Sequence, residues 1–123
     1  MERVNYAFLP EVHGPYVHAT KHKGVLYVSG LTALNTRSQS LALDGQIEEV
    51  LRQLTLILEE ENKTVTDIIK ATIFLRDISQ LSLMREHLSA FYNGVFPACS
   101  LVEVSRLIDD ELNVEMEVLI SMD

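Results

Sequence analysis

Between Asp44 and Phe91 the spacing of apolar residues changes period twice, and few folds accommodate that. Ile47, Val50, Leu51, Leu54, Ile57 and Leu58 recur at i, i+3, i+4, i+7, i+10 and i+11, one face of an α-helix. Asp44 precedes the run as a natural N-cap. Next, Ile69, Ala71, Ile73 and Leu75 alternate with Ile68, Lys70, Thr72 and Phe74. That β-branched alternation reads as a central strand. Asp77 or Ser79 then caps a second helix carrying Leu81, Met84, Leu88 and Phe91 on one face, closed by Asn93-Gly94. A helix, a strand and a helix within about fifty residues exclude both an all-helical bundle and an all-β sandwich.

The flanks supply more strands. Tyr16 to Thr20 and Val25 to Gly30, joined by the polar turn Lys21 to Gly24, read as a hairpin. Thr32 to Leu43 is polar and aperiodic, a loop long enough to carry function. Ala98 to Ser105 and Val114 to Ser121 read as two further strands around an acidic turn at Ile108 to Asn113. The order is β-β-α-β-α-β-β: an α+β domain with two helices packed on one face of a mixed sheet. The 123 residues make a single domain, residues 1–123. Phe74 and Leu101 stand on strand faces opposite those of Ile73 and Val102, so both sheet faces carry apolar side chains. Two helices cover one face; a second copy of the chain would cover the other, and a homo-oligomer is expected.

Charge narrows the partners. Eighteen acids against ten Lys and Arg give a net charge of -8, which repels phosphate backbones, so no nucleic-acid partner is expected. The residues up to Leu43 sum to +2 and the remainder to -10. His13, His18 and His22 lie beside Lys21 and Lys23 in the positive part, as an anion-attracting patch or as edge-strand residues that discourage aggregation. Glu59-Glu60-Glu61 reads as a solvated helix end. The single cysteine, Cys99, excludes an internal disulfide and no Cys and His spacing suits zinc, which points to the reducing cytoplasm. The N-terminal residues lack signal-peptide features and no run approaches the roughly 18 apolar residues of a membrane span.

Phosphate loops, nucleophile elbows, zinc-protease pairs and dinucleotide fingerprints are absent. Polar groups on strands remain. Glu115 and Glu117 project to one face and Val114, Met116 and Val118 to the other. A carboxylate on a face between subunits would be partly desolvated and suited to general acid or base work; on a free face it is an ordinary ion-paired strand residue. Cys99 shares a strand face with Leu101, Glu103 and Ser105, where a lone cysteine commonly serves as a small hydrophobe. Tyr16 offers a phenol at the mouth of a strand. Ser29-Gly30 can bring backbone amides close to a ligand, since Gly30 has no side chain to obstruct approach.

The blocks Gly14-Pro15-Tyr16, Gly24 to Gly30, Asp67 to Asp77, Phe96 to Leu107 and Val114 to Glu117, in this order, resemble the RidA (YjgF) family, also labelled endoribonuclease L-PSP. The resemblance runs from about Pro10 to Ile120. It implies a chorismate-mutase-like fold and a homotrimer with a ligand cleft at each subunit interface. Deaminase members hydrolyse enamines and imines such as 2-aminoacrylate to 2-keto acids and ammonia, without metal or cofactor. In them a glutamate positions water, a tyrosine and a Ser-Gly pair line the cleft, and an arginine in a Pro-Ala-Arg-Ser block clamps the substrate carboxylate. The glutamate matches Glu115, the tyrosine Tyr16 and the pair Ser29-Gly30, but the arginine position is Cys99, and Leu101 makes the pocket more apolar still. Losing charged hydrogen bonds worth about 1.5–3 kcal/mol each would weaken imino-acid binding.

The expectation is therefore a family member that binds a small carboxylate or carbonyl metabolite, with archetypal deaminase activity weak or absent. The alternative is an active cofactor-free deaminase. The net charge counts against a ribonuclease or translation inhibitor. Glu115 is expected as the nearest ionisable neighbour of Cys99, which disfavours a thiolate nucleophile.

Overall fold

The computed structural model describes residues 1–123. Six strands form one sheet: β1 (Glu2–Val4), β2 (Ala19–His22), β3 (Val25–Leu31), β4 (Ile68–Leu75), β5 (Ala98–Glu103) and β6 (Val114–Ser121), in the spatial order β1-β2-β3-β6-β4-β5. Neighbouring strands are antiparallel except β4 and β5, which run parallel through the crossover helix α2 (Leu81–Tyr92). Helix α1 (Leu43–Glu60) links β3 to β4. This is the α+β, chorismate-mutase-like sheet with two helices on one face, with one strand more than expected. β1 escapes the periodicity argument because Glu2-Arg3-Val4 buries almost nothing; it pairs only with β2, Arg3 opposite Thr20.

The core lies between sheet and helices. Ala71, Ile73 and Leu75 of β4 and Val114, Met116, Val118 and Ile120 of β6 meet Ile47, Val50, Leu54 and Ile57 of α1 and Met84 and Leu88 of α2, all buried. The period-2 pattern of β6, and of β4 from Ala71 on, has the expected sense, but at the start of β4 the register against β6 slips between Ile68 and Lys70, so Ile68 is buried and Ile69, expected on the face of Ala71, is exposed. On the other face stand Tyr27, Thr72, Phe74, Val102, Glu115 and Glu117; Tyr27 is 43 % and Val102 45 % exposed.

Several boundaries move for identifiable reasons. Helix α1 starts at Leu43, with Ala42 as an N-cap that makes no side-chain bond. Asp44 sits inside the first turn, where a helix dipole favours an acid, and its carboxylate meets His87 Nε2 of α2 at 2.6 Å. β2 starts at Ala19 rather than Tyr16, because the Gly14-Pro15 turn carries Tyr16 and Val17 out of the sheet. The hairpin turn is only Lys23-Gly24, both at positive φ (49° and 78°), which suits the right-handed twist of the strands. β5 ends at Glu103, although the Val104 N–H still donates to the Leu75 carbonyl at 2.9 Å. Asn93, at φ 50°, closes α2 in the left-handed cap expected of Asn93-Gly94.

Two charge readings need correction. Glu61 is not a solvated helix end: its carboxylate accepts from the Tyr6 hydroxyl at 2.7 Å and pairs with Lys21 Nζ at 2.8 Å, leaving the side chain 8 % exposed. Burial opposes its ionisation, but the Lys21 ammonium and the Tyr6 hydroxyl outweigh it and hold the carboxyl below its ordinary range. His18 is not a free member of a basic patch. Its Nδ1 accepts from the Tyr6 N–H and its Nε2 lies 2.9 Å from the Pro10 carbonyl, which requires the Nε2–H tautomer. The ring thus ties the segment from Tyr6 to Pro10 across β2.

Candidate functional site

The segment after β1 and the end of β3 meet in a cleft. The Tyr16 N–H donates to the Gly14 carbonyl at 2.9 Å, and the ring folds over Gly14 so closely that a Cβ there would lie 2.9 Å from Tyr16 Cε1. Gly14 is therefore what lets the phenol take this position, 55 % exposed. Opposite it, Ser29 is fixed by two bonds: its N–H donates to the His18 carbonyl at 2.9 Å and its Oγ to the Val17 carbonyl at 2.7 Å.

At Ser29-Gly30 the β3 ladder slips. Val28 pairs with Val118 and Leu31 with Met116, so β3 advances three residues while β6 advances two. This is a β-bulge, a device that re-aims side chains beside functional sites. It keeps Val28 and Leu31 in the core and brings Gly30 under the Glu115 side chain. A Cβ on Gly30 would lie 2.7 Å from Glu115 Cδ and 3.0 Å from Cγ. Burial pushes the Glu115 carboxyl above its ordinary range, and the neighbouring Glu117 adds to the effect.

The cleft that results has a volume of about 170 Å³, and Tyr16, Ser29 and Gly30 line it together with His13, Asn35 and Gln53. The Thr32 to Leu43 segment forms part of its wall through Thr32, Leu34 and Asn35, and Ile108 reaches it from the turn before β6. One buried amide joins these two walls. Gln46 Nε2 donates to the carbonyls of Gln39, Leu41 and Glu111, while its Oε1 accepts from the Asn113 N–H. Gln53, one turn pair further along α1, donates through Nε2 to the Thr32 carbonyl at 3.0 Å and to Glu49 Oε2 at 2.7 Å. Neither glutamine was expected from the sequence at this site. The available signal was two polar residues set among the apolar positions of α1.

Tyr16, Ser29, Gly30 and Glu115 are thus brought together within one chain. Cys99 and Leu101 are not. Cys99 pairs with Ala71 and Leu101 with Ile73, which turns both toward the helices, whereas Glu115 pairs with Phe74 on the opposite face. Within the chain the charged neighbour of Cys99 is Lys70, not Glu115: burial pushes the thiol up and the Lys70 ammonium only partly offsets it. Beside Cys99, at the end of α2, the Tyr92 hydroxyl is buried without a hydrogen-bond partner, and burial followed by Cys99 pushes it up to about 12. No three His, Cys, Asp or Glu side chains gather where they could hold a metal ion. No helix is long and apolar enough to cross a membrane.

Sheet order, crossover helix and bulged cleft define an α+β protein of the YjgF type. The sequence model described as Endoribonuclease L-PSP matches residues 8–122, and the chain belongs to that family, known also as RidA or YjgF. The chain is 30 % identical over 115 residues to the 2-iminobutanoate/2-iminopropanoate deaminase of Escherichia coli, covering 89 % of each protein. It is 31 % identical over 113 residues to a RutC family protein of Pyrococcus abyssi, covering 89 % of this chain and 88 % of that one. Among solved structures, the Rid family protein YyfA of Yersinia pestis superposes with a TM-score of 0.88 at 28 % identity, covering 98 % of both chains.

Proposed function

We propose that the chain is a cytoplasmic homotrimer that binds a small carbonyl- or imine-type metabolite in clefts between copies, with weak or no deaminase activity toward 2-imino acids. The observation that carries this reading is the Glu115 carboxyl packed against the bare Gly30 backbone, Gly30 lining the cleft together with Tyr16 and Ser29. A carboxyl whose pKa is raised by burial can take a proton from water and return it to a leaving amine. The exposed sheet face with Tyr27 and Val102, and the outer edge of β5, which pairs only with β4, favour docking of further copies. Docking would bring Cys99 and Leu101 of a neighbouring copy to the cleft. No cofactor or metal enters this reading.

Cys99 supplies no guanidinium, so a substrate carboxylate has no bidentate partner at that position. The E. coli relative is named for a deaminase of 2-imino acids, and the second reading is that this chain shares its activity. Wild type, Cys99→Arg and Cys99→Ser are to be compared on enzymatically generated 2-aminoacrylate. The expected result is a low wild-type rate, little changed by serine and raised at least tenfold by arginine. A robust wild-type rate that arginine leaves unchanged would favour the second reading.

A further inference from the structure

We propose that His18 is an acid-released latch on the cleft wall: its neutral ring holds the segment from Tyr6 to Pro10 in place, and a proton on Nδ1 frees the Tyr6 end, with Leu9 leaving the wall. Every bond of the latch lies within one chain, so it acts on the wall itself, whatever ligand the cleft takes.

The base of the latch is fixed on both sides. The His18 N–H donates to Asn5 Oδ1 at 3.0 Å and its carbonyl accepts from the Ser29 N–H at 2.9 Å. From that base the ring bridges two points four residues apart, the Tyr6 N–H and the Pro10 carbonyl, each at 2.9 Å. Between them the segment curls, the Leu9 N–H donating to the Tyr6 carbonyl at 3.2 Å, and Leu9 is buried. Leu9, Glu11 and His18 line the cleft and also the neighbouring hollow that Asn5, Tyr6 and Val12 complete. The latched segment is thus the partition between the two.

A neutral imidazole has one acceptor and one donor, and both are used here. An imidazolium has two donors. Its Nε2–H would go on serving the Pro10 carbonyl, whereas its Nδ1–H would face the Tyr6 N–H across 2.9 Å, donor against donor. Tyr6 is only 5 % exposed, so water does not take the place of the lost acceptor and the two groups must part. Proton uptake and closure at Tyr6 therefore exclude each other. The segment opens about Pro10, and its open population grows as pH falls. The charged and titratable groups around the ring come from several elements. Glu11, next to Pro10, favours the cation, and His13 opposes it once protonated; the Tyr16 phenol and the Gln53 amide of α1 line the same cleft. Behind Tyr6, whose ring stacks on His18 at 6.2 Å, Glu61 of α1 and Lys21 of β2 neutralise each other. From β3 the nearest group is the uncharged Ser29.

Hydrogen exchange of the 15N-labelled full chain reads the latch directly, because protection of the Tyr6 amide reports its bond to Nδ1. Protection factors, corrected for the intrinsic pH dependence of exchange, are compared at about pH 7.5 and about pH 5.5, either side of the ordinary imidazole value of about 6.5, while the His18 ring nitrogens are followed in the same samples. Glu61 is held below its ordinary range and stays ionised across that window, so the anchor of the Tyr6 hydroxyl does not change. Expected is a fall of at least tenfold in Tyr6 protection as the ring takes up its proton, with the Leu9 methyl signals shifting in step and Val28, inside the β3 ladder, unaffected. His18→Gln keeps one acceptor and one donor but does not titrate, and its Tyr6 protection should change less than twofold; His13→Gln should behave as wild type. A wild-type ring that protonates while Tyr6 protection holds, a ring still neutral at about pH 5.5, or a loss in His18→Gln as large as in wild type would overturn the latch.

Discussion

Gly30 and Glu115 can be tested against each other, because the atoms that a Cβ at position 30 would strike belong to the far end of the Glu115 side chain. That end can swing away, so Gly30→Ala should cost only about 1–3 kcal/mol in stability, the usual range for modest overpacking. Ligand binding or turnover should fall far more, since the carboxylate no longer sits over the backbone. Denaturant unfolding compared with ligand titration separates the two effects. The pH dependence has opposite signs at two glutamates. Glu115, raised on folding, binds more protons in the native state, so its contribution falls as pH rises from the ordinary carboxylate range through the raised value. Glu115→Gln is accordingly expected to be more stable than wild type at pH 7 and to lose that advantage near pH 4. Glu61 is lowered on folding; its contribution is present above the ordinary carboxylate range and disappears as pH falls through the depressed value. Glu61→Gln should therefore be less stable at pH 7 and converge with wild type in acid, as thermal melts across pH would show.

At the scale of elements, α1 and β4 were legible because burial imposes their periods directly, and Asn93-Gly94 because a left-handed cap demands such residues. The segment from β1 to β2 was not. Its order comes from a tyrosine hydroxyl, a histidine tautomer and Lys21 reaching Glu61, none of which leaves a periodic trace. Tyr6→Phe removes one hydrogen bond to a charged group, 55 residues away in sequence; a loss of about 1.5–3 kcal/mol is expected, with faster hydrogen exchange from Tyr6 to Pro10. The site was half legible for a similar reason. Tyr16, Ser29, Gly30 and Glu115 sit in recognisable blocks, and the bulge brings them together. Gln46 and Gln53 look like surface residues until the two loops are folded over them.

For the whole molecule, the exposed sheet face and the net charge of -8 make separate claims. Light scattering should give three times the 13.9 kDa chain mass, and Val102→Asp, which places a charge on the sheet face away from the helices, should shift the population toward single chains. A monomeric or dimeric mass at micromolar concentration would contradict the trimer. The acidity predicts weak RNA binding that vanishes at physiological salt, measurable by filter binding at two ionic strengths.

Gln46 spends its whole amide on carbonyls at 39, 41 and 111 and the N–H at 113. Two surface segments some seventy residues apart are thereby held to a common length and height, because neither can gain or lose a residue without stranding a buried bond of the other. Loop variation, ordinarily the freest kind of change in a protein, is coupled here. A graft that changes the ligand wall by exchanging residues 33–42 alone should misfit, whereas exchanging 33–42 and 108–113 together from one donor protein should be tolerated.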